Sequence, residues 1–330
     1  MMDWTDRHCR YFLRGFSPDA LIYTEMITTS AIVRGDRARL LAFDPAEHPV
    51  ALQLGGSDPR ELALAARIGA EAGYDEINLN CGCPSDRVAS GSFGACLMLE
   101  PALVADCVAA MVAAVRVPVT VKMRIGVVSA AKREVQSAVA GFGDDEFDQL
   151  RRFVASVCDA GSQAAIVHAR KAVLGGLSPK DNREVPPLRY EVVRRLKLDF
   201  PSLPLVVNGG LREVAAVVEA LEWCDGVMLG REAYHRPFLL AELQQLLYPG
   251  NPAMPSREAL LERMEGYARR ELAAGGRLST ITRHMLGLYN GQPGAREYRR
   301  TLSEGARAAG AGAELLRQSI PTPVPQRAAL

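Results

Sequence analysis

The sequence predicts a parallel α/β barrel followed by a small all-helical domain, and three observations carry that prediction. Short β-branched runs alternate with longer helical patterns between residues 21 and 247, the signature of successive βαβ units. Several of these runs are apolar without alternation, as strands covered on both faces are. Beyond Tyr248 the strand pattern stops, the periodicity becomes purely helical, and every basic residue from Ser256 onward is an arginine.

In chain order, strands are expected at 21–26 (LIYTEM), 49–56 (PVALQLGG), 76–82 (EINLNCG), 117–124 (VPVTVKMR), 164–170 (AAIVHAR), 203–210 (LPLVVNGG) and 225–231 (DGVMLGR). Helical patterns fill the intervals at 58–72, 101–115, 145–160, 188–200 and 213–221, and a further one follows at 237–247. Seven strands are one short of a closed TIM (β/α)8 barrel. The chain opens directly on MMDWTDRHCR, so the first strand is expected to be truncated, with a barrel domain over 1–248. The Pro/Gly-rich stretch 249–256 reads as a linker with Ser256 capping the next helix. Helices are then expected at 257–274, about 279–289, 294–309 and 311–318, giving a helical domain over 257–318 and a disordered tail over 319–330.

Composition narrows the function class. No apolar run approaches a membrane span, and no charged-then-apolar N-terminus suggests a signal peptide, so a cytoplasmic chain without membrane contact is expected. Seven cysteines, at 9, 81, 83, 96, 107, 158 and 224, form no C-x-x-C pair and sit near no histidine cluster. Neither a metal site nor a disulfide framework is indicated. Net charge is only +1, yet from Ser256 onward 12 arginines face 7 acidic residues. Arginine grips phosphate with a planar fork of donors; charge alone does not separate that use from a solvated helical face.

In a parallel barrel, chemistry gathers at the C-terminal ends of the strands. Those ends here carry Glu25, Gln53, Asn78/Asn80/Cys83, Lys122/Arg124, His168/Arg170, Asn208-Gly209-Gly210 and Gly230-Arg231. One polar strand end is commonly a cap or a loop hydrogen bond; seven in succession imply a shared active site. Glycines in NGG and LGR let backbone N–H groups approach an anion, and the last two loops of such barrels often bind phosphate, although each alone could be only a turn. Lysine is rarely buried unless paired, so Lys122 with Gln53 opposite would suit the electron-rich edge of a flavin ring. His168 reads either as a satisfied core histidine or as a donor to a cofactor. The C-x-C pair Cys81/Cys83 is open to three readings: metal ligands, a redox pair, or one working thiol beside a packed one.

The runs MDWTDRHCR, QLGG, INLNCGCPSDRV, FGACLM, VKMRIG, VHARKAVLGGLSPKDNREVPPLRY, DGVMLGREAY and TRHMLGLYNGQPGAREYRR together resemble the tRNA-dihydrouridine synthases over residues 1–310. GLSPKDNREVPPL and RHMLGLYNGQPGAR are similar to the A subfamily in particular. The resemblance implies FMN held in a TIM barrel, hydride drawn from NADPH, and reduction of the C5–C6 bond of uridines 20 and 20a in the tRNA D-loop. It makes Cys83 the proton donor to C5, a role a thiol suits because it stays mostly protonated at neutral pH. Asn80 would bond the uracil edge, Lys122 the flavin N1–O2 region, and Gln53 the flavin's pyrimidine edge. His168, Asn208, Gly209, Gly210, Gly230 and Arg231 would hold ring and phosphate, and Met1 matches a methionine that touches the flavin. Lys180 and Arg183 match a tRNA-contacting loop; Arg283, Arg296, Arg299 and Arg300 are the helical candidates for RNA phosphate. Gly82 and Pro84 make the chain turn after Cys81, which leaves Cys81 as a small packed side chain where the family usually shows an aliphatic one.

Two departures stand out. The family's strand before MDWTD is missing, so a longer native protein is expected. Residues 126–145 add roughly a dozen residues between Lys122 and His168, either as a surface insertion or as a cover over the pocket. A monomer is expected, and no dinucleotide fingerprint separates NADPH from NADH. The rival readings are a flavin dehydrogenase of free pyrimidines, which gives the Arg-rich helices no purpose, and a non-catalytic tRNA-binding protein.

Overall fold

The seven predicted strands all form. The computed structural model describes residues 1–85, 93–248, 250 and 253–321; residues 86–88 of the GCPSDRV run, residues 249, 251 and 252 of the Pro/Gly linker and residues 322–330 of the expected tail lie outside them. The strands are β1 (Ile22–Thr28), β2 (Val50–Gly55), β3 (Glu76–Cys81), β4 (Val119–Ser129), β5 (Ala165–Leu174), β6 (Leu205–Asn208) and β7 (Gly226–Met228). They make one sheet in strict chain order, with parallel pairing from β2 through β7. Parallel neighbours in sequence order, joined by crossover helices, are the topology of a TIM-type α/β barrel. The crossovers after β2 to β6 are Pro59–Glu71, Pro101–Ala114, Asp144–Asp159, Tyr190–Asp199 and Val214–Leu221. Local chemistry starts them: Asp58 accepts from the Glu61 N–H ahead of Pro59, and Asp144, Asp145 and Glu146 place negative charge in the first turn of the third.

Register positions the site. Gln53 pairs with Asn78, Asn80 with Lys122, Arg124 with His168, and His168 with Asn208. Polar residues as far as 155 positions apart in sequence are thereby set side by side across five strands.

Residues 126–145 continue the fold instead of looping out. After an irregularity between Arg124 and Gly126, β4 pairs again with β5 from Gly126↔Lys171 to Ser129↔Leu174. A short helix, Val135–Ala140, then buries Val135 and Val139 against Ala130 and Val173, with Leu177 and Val185 packed beside them. Buried Lys171 pairs with Glu146 and donates to the Ala138 carbonyl at 3.3 Å. Gly176 lies so close to this segment that a Cβ would sit 2.3 Å from the Ala130 oxygen.

The chain packs as two units: Met1, Tyr23–Phe43 and Pro49–Gly230 form the barrel unit, and Met2–Ile22, Asp44–His48 and the described residues from Arg231 onward form a helical unit. The boundary expected at 248 lies earlier, after Gly230, because helix Phe238–Leu247 buries Ala241 in the helical core. That core also takes in helix Arg7–Arg14, which begins at Asp6, whose carboxylate accepts from the Cys9 N–H. Tyr11 stacks on Tyr267 at 4.1 Å between centroids, and buried Arg10 pairs with buried Glu47 at 2.6 Å. Ser256 caps helix Arg257–Ala273 as expected, accepting from the Ala259 N–H. The helix expected over about 279–289 stops at Thr282: successive i→i+3 bonds carry the chain to Asn290, and a Cβ on Gly287 would come within 3.3 Å of the His235 oxygen. No helix among the described residues is long and apolar enough to cross a membrane.

Candidate active site

The site grows from one face of β3. Glu76, Asn78 and Asn80 are two residues apart, so all three point the same way from a strand that is buried throughout. Asn80 Nδ2 donates to Gln53 Oε1 and Gln53 Nε2 donates to Asn78 Oδ1, both at 2.8 Å. Asn78 Nδ2 donates in turn to Thr120 Oγ1 at 2.8 Å, and the Thr120 hydroxyl donates to Glu76 at 2.6 Å. Tyr23 also donates to Glu76, and burial holds the Glu76 carboxyl above its ordinary pKa against the pull of these two hydroxyls.

At its upper end the row holds the loop after β3. The Asn80 Oδ1 accepts from the backbone N–H groups of both Gly82 and Cys83 at 3.0 Å. Asn80, expected to bond the uracil edge, thus spends its carbonyl on the loop and retains one amide N–H. Cys81 ends β3 fully buried, its thiol pKa pushed up by burial, while Cys83 lies past the strand and is partly exposed. The two thiols therefore occupy different environments.

β4 and β5 bring positive charge. Lys122 sits beside Asn80, its pKa lowered to about 8 by burial and then by Arg124, with Cys83 acting in the opposite direction. Arg124 is buried and donates to three carbonyls: Gly82 at 3.2 Å, Lys171 at 3.3 Å and Asn182 at 2.9 Å. Neither cation pairs with a carboxylate among the described residues, so these strand ends favour an anionic guest. The His168 pKa lies well below the usual histidine range, first through burial and then through Arg124 and Lys122. The imidazole is neutral at pH 7, with one nitrogen to donate and one to accept.

The end of β6 is shaped by glycine. Asn208 Nδ2 donates to the Met228 carbonyl at 2.8 Å, and the chain then passes through Gly209 and Gly210 at φ +113° and +71°. A Cβ on Gly209 would meet the His168 ring at 2.6 Å, and one on Gly210 would meet Leu188 at 2.3 Å. Only glycine serves at either position.

The loop after β5 is organised around the Asn182 side chain. Buried Asn182 accepts from the Val173 N–H at 2.7 Å and donates to the Val173 and Leu177 carbonyls at 2.9 and 3.2 Å. Its own carbonyl receives Arg124. Lys180 and Arg183 stand exposed on that framework.

A family model described as dihydrouridine synthase matches residues 1–324. The chain belongs to the dihydrouridine synthase family. It is 55% identical over 320 residues to the tRNA-dihydrouridine(20/20a) synthase of Xanthomonas axonopodis pv. citri, covering 97% of this chain and 91% of that one. The protein of the same name from Pseudomonas aeruginosa is 55% identical over 304 residues, 92% of this chain and 87% of its own length. That of Synechocystis is 53% identical over 320 residues, 97% and 92% respectively.

Against the dihydrouridine synthase resemblance, the structure brings Gln53, Asn80, Lys122, His168 and Asn208–Gly210 together by register and hydrogen bonding, with Cys83 on the loop that Asn80 holds. Met1 packs with this barrel unit and Gly230 ends it. Arg231 opens helix Arg231–His235 in the helical unit. In that unit, Arg283 and Arg299 line one cavity of about 260 Å³ with Tyr234, His235, His284 and Asn290. Arg283 pairs there with Asp6 at 2.6 Å, whereas Arg296 and Arg300 are exposed without an ion pair among the described residues. The sequence pointed to neither Glu76, Thr120 and Tyr23 nor Asn182 as part of the site. One signal was present: polar residues at 76, 78 and 80 interrupt a strand otherwise made of apolar residues.

Proposed function

We propose that this protein is an FMN- and NADPH-dependent tRNA-dihydrouridine(20/20a) synthase, with the barrel as catalytic domain and the helical unit as tRNA-binding domain. The observation that supports it most is a cationic cluster, Lys122 and Arg124 with neutral His168, in which neither cation pairs with a carboxylate among the described residues, beside a partly exposed thiol whose loop is pinned by Asn80. The residues fit FMN: Lys122, without a carboxylate partner among the described residues, suits the anionic N1–O2 edge, and the Gly209–Gly210 turn against His168 leaves space that any side chain would fill. Met1, Gln53, Asn208, Gly230 and Arg231 complete the proposed binding set, with phosphate at the glycine loops. When bound, FMN supplies the hydride that reduces uridine C6.

The chain's own residues do the rest. Cys83 holds its proton on Sγ and delivers it to C5, and the remaining Asn80 N–H orients the uracil edge. The uridine must leave the RNA stack to reach this pocket, which costs a few kcal/mol. Contacts of Lys180, Arg183, Arg283, Arg296, Arg299 and Arg300 with RNA phosphates offset that cost and position the tRNA.

The purified protein should show a flavin absorption band and consume NADPH only with tRNA that lacks dihydrouridine. Turnover of free uracil without tRNA would instead favour a free-pyrimidine dehydrogenase, and a colourless protein that binds tRNA would favour a non-catalytic role.

A further inference from the structure

We propose that Glu76 is a positioning residue for the Cys83 loop, acting through a one-way chain of hydrogen bonds along the barrel interior. The inference rests on reading Cys83 as the proton donor, because that is what makes the loop's geometry matter. Glu76 is the first residue of β3 and Asn80 the fifth, so the influence spans about 13 Å at ~3.3 Å per residue.

The direction of the chain is fixed from both ends. At the loop, the backbone N–H groups of Gly82 and Cys83 can only donate, so Asn80 must turn its carbonyl oxygen to them. Its amide nitrogen then faces Gln53, whose oxygen must accept. Gln53 in turn presents its nitrogen to Asn78, and Asn78 presents its nitrogen to Thr120. The hydroxyl of Thr120 has one proton, and it goes to Glu76. Glu76 Oε1 accepts it beside the proton of the Tyr23 hydroxyl, so this end agrees with the other. Each amide alone could be flipped; in this row a flip anywhere sets donor against donor or acceptor against acceptor. Asn78 is wholly buried, and Thr120, Asn80, Gln53 and Glu76 are no more than 9% exposed, so water cannot readily repair a reversed link. Tyr23 braces the carboxylate from β1 at 2.6 Å.

Thr120→Val breaks the chain while nearly preserving volume. It leaves the Asn78 nitrogen without its acceptor and Asn80 free to reorient. The test measures amide hydrogen exchange of the intact protein at Gly82 and Cys83, together with the two half-reactions. In the variant, exchange at those two amides should rise about tenfold, as the loss of one well-placed hydrogen bond implies. Reaction of reduced enzyme with tRNA should slow by a similar factor, while NADPH-driven flavin reduction stays within about twofold. Glu76→Met should reproduce both changes if Thr120→Val fails to fold, and Glu76→Gln, whose carbonyl still accepts both hydroxyls, should restore wild-type exchange. Unchanged exchange at Gly82 and Cys83 in a folded Thr120→Val or Glu76→Met protein would overturn the proposal, as would an equal rise along all of β3. The exchange measurement needs neither flavin nor tRNA. A wild-type protein that leaves tRNA unreduced therefore sinks the functional reading without touching the exchange result.

Discussion

Replacing Gly209 with alanine tests the turn that packs against His168. Two costs follow from the structure. The backbone sits at φ +113°, which a residue with a Cβ adopts at a cost of about 1–2 kcal/mol. The new methyl would also lie 2.6 Å from His168 Cδ2 and 3.0 Å from Leu188 Cδ2, and such overpacking costs typically about 1–3 kcal/mol. A loss of about 3 kcal/mol, or roughly 5–10 °C in Tm, is expected, together with lower flavin retention because the ring is pushed from its place. A double-mutant cycle separates the terms. In a His168→Ala background the clash with the ring vanishes and only the backbone and Leu188 costs remain, so Gly209→Ala should cost about 1–2 kcal/mol less there. Thermal melts and flavin stoichiometry of the four proteins give the coupling directly. An equal cost in both backgrounds would refute the idea that Gly209 exists to admit the His168 ring.

Lys122→Met should raise the stability of the flavin-free protein at pH 7 while reducing its flavin affinity. The folded-state lysine pKa is lowered to about 8, so the unfolded chain binds more protons between there and the ordinary lysine range. The penalty is therefore fully present below pH 8 and fades as pH rises, and melts across pH 7–10 should show the mutant's advantage shrinking. Val139→Ala should cost about 2 kcal/mol. It should also speed proteolytic cleavage within 174–189 and weaken tRNA binding, because the 126–145 segment supports that loop. Deleting the segment outright should lower tRNA affinity more than it lowers flavin content; equal losses would mean that it only stabilises the barrel.

The alternation of strands and helices was legible because it depends on local periodicity. Every strand was found, and Asp58 and Ser256 mark helix starts by their own side chains. The polar strand ends were legible for the same reason, since strand position alone places Gln53, Lys122, His168 and Asn208. What stayed hidden depends on register. Glu76, Thr120 and Tyr23 form a site component only because β3 pairs with β4 at Asn78↔Thr120. The continuation of β4 and β5 past residue 126 was equally hidden: it is stabilised by Val135 and Val139 folding back on Val173, which are pairings between distant segments. Helix Arg7–Arg14 carries three arginines among its eight residues, so its inward face was masked by charges that the fold buries at Arg10 and Arg14 against Glu47.

In the proposed reaction, a thiol on the loop held by Asn80 protonates a tRNA uridine. Mapping dihydrouridine in tRNA from a strain that lacks this protein, rescued with wild type or with Cys83→Ala, tests it most directly. Loss confined to positions 20 and 20a is expected, restored by wild type and left unrestored by a Cys83→Ala protein that still binds flavin. Full restoration by Cys83→Ala would contradict it.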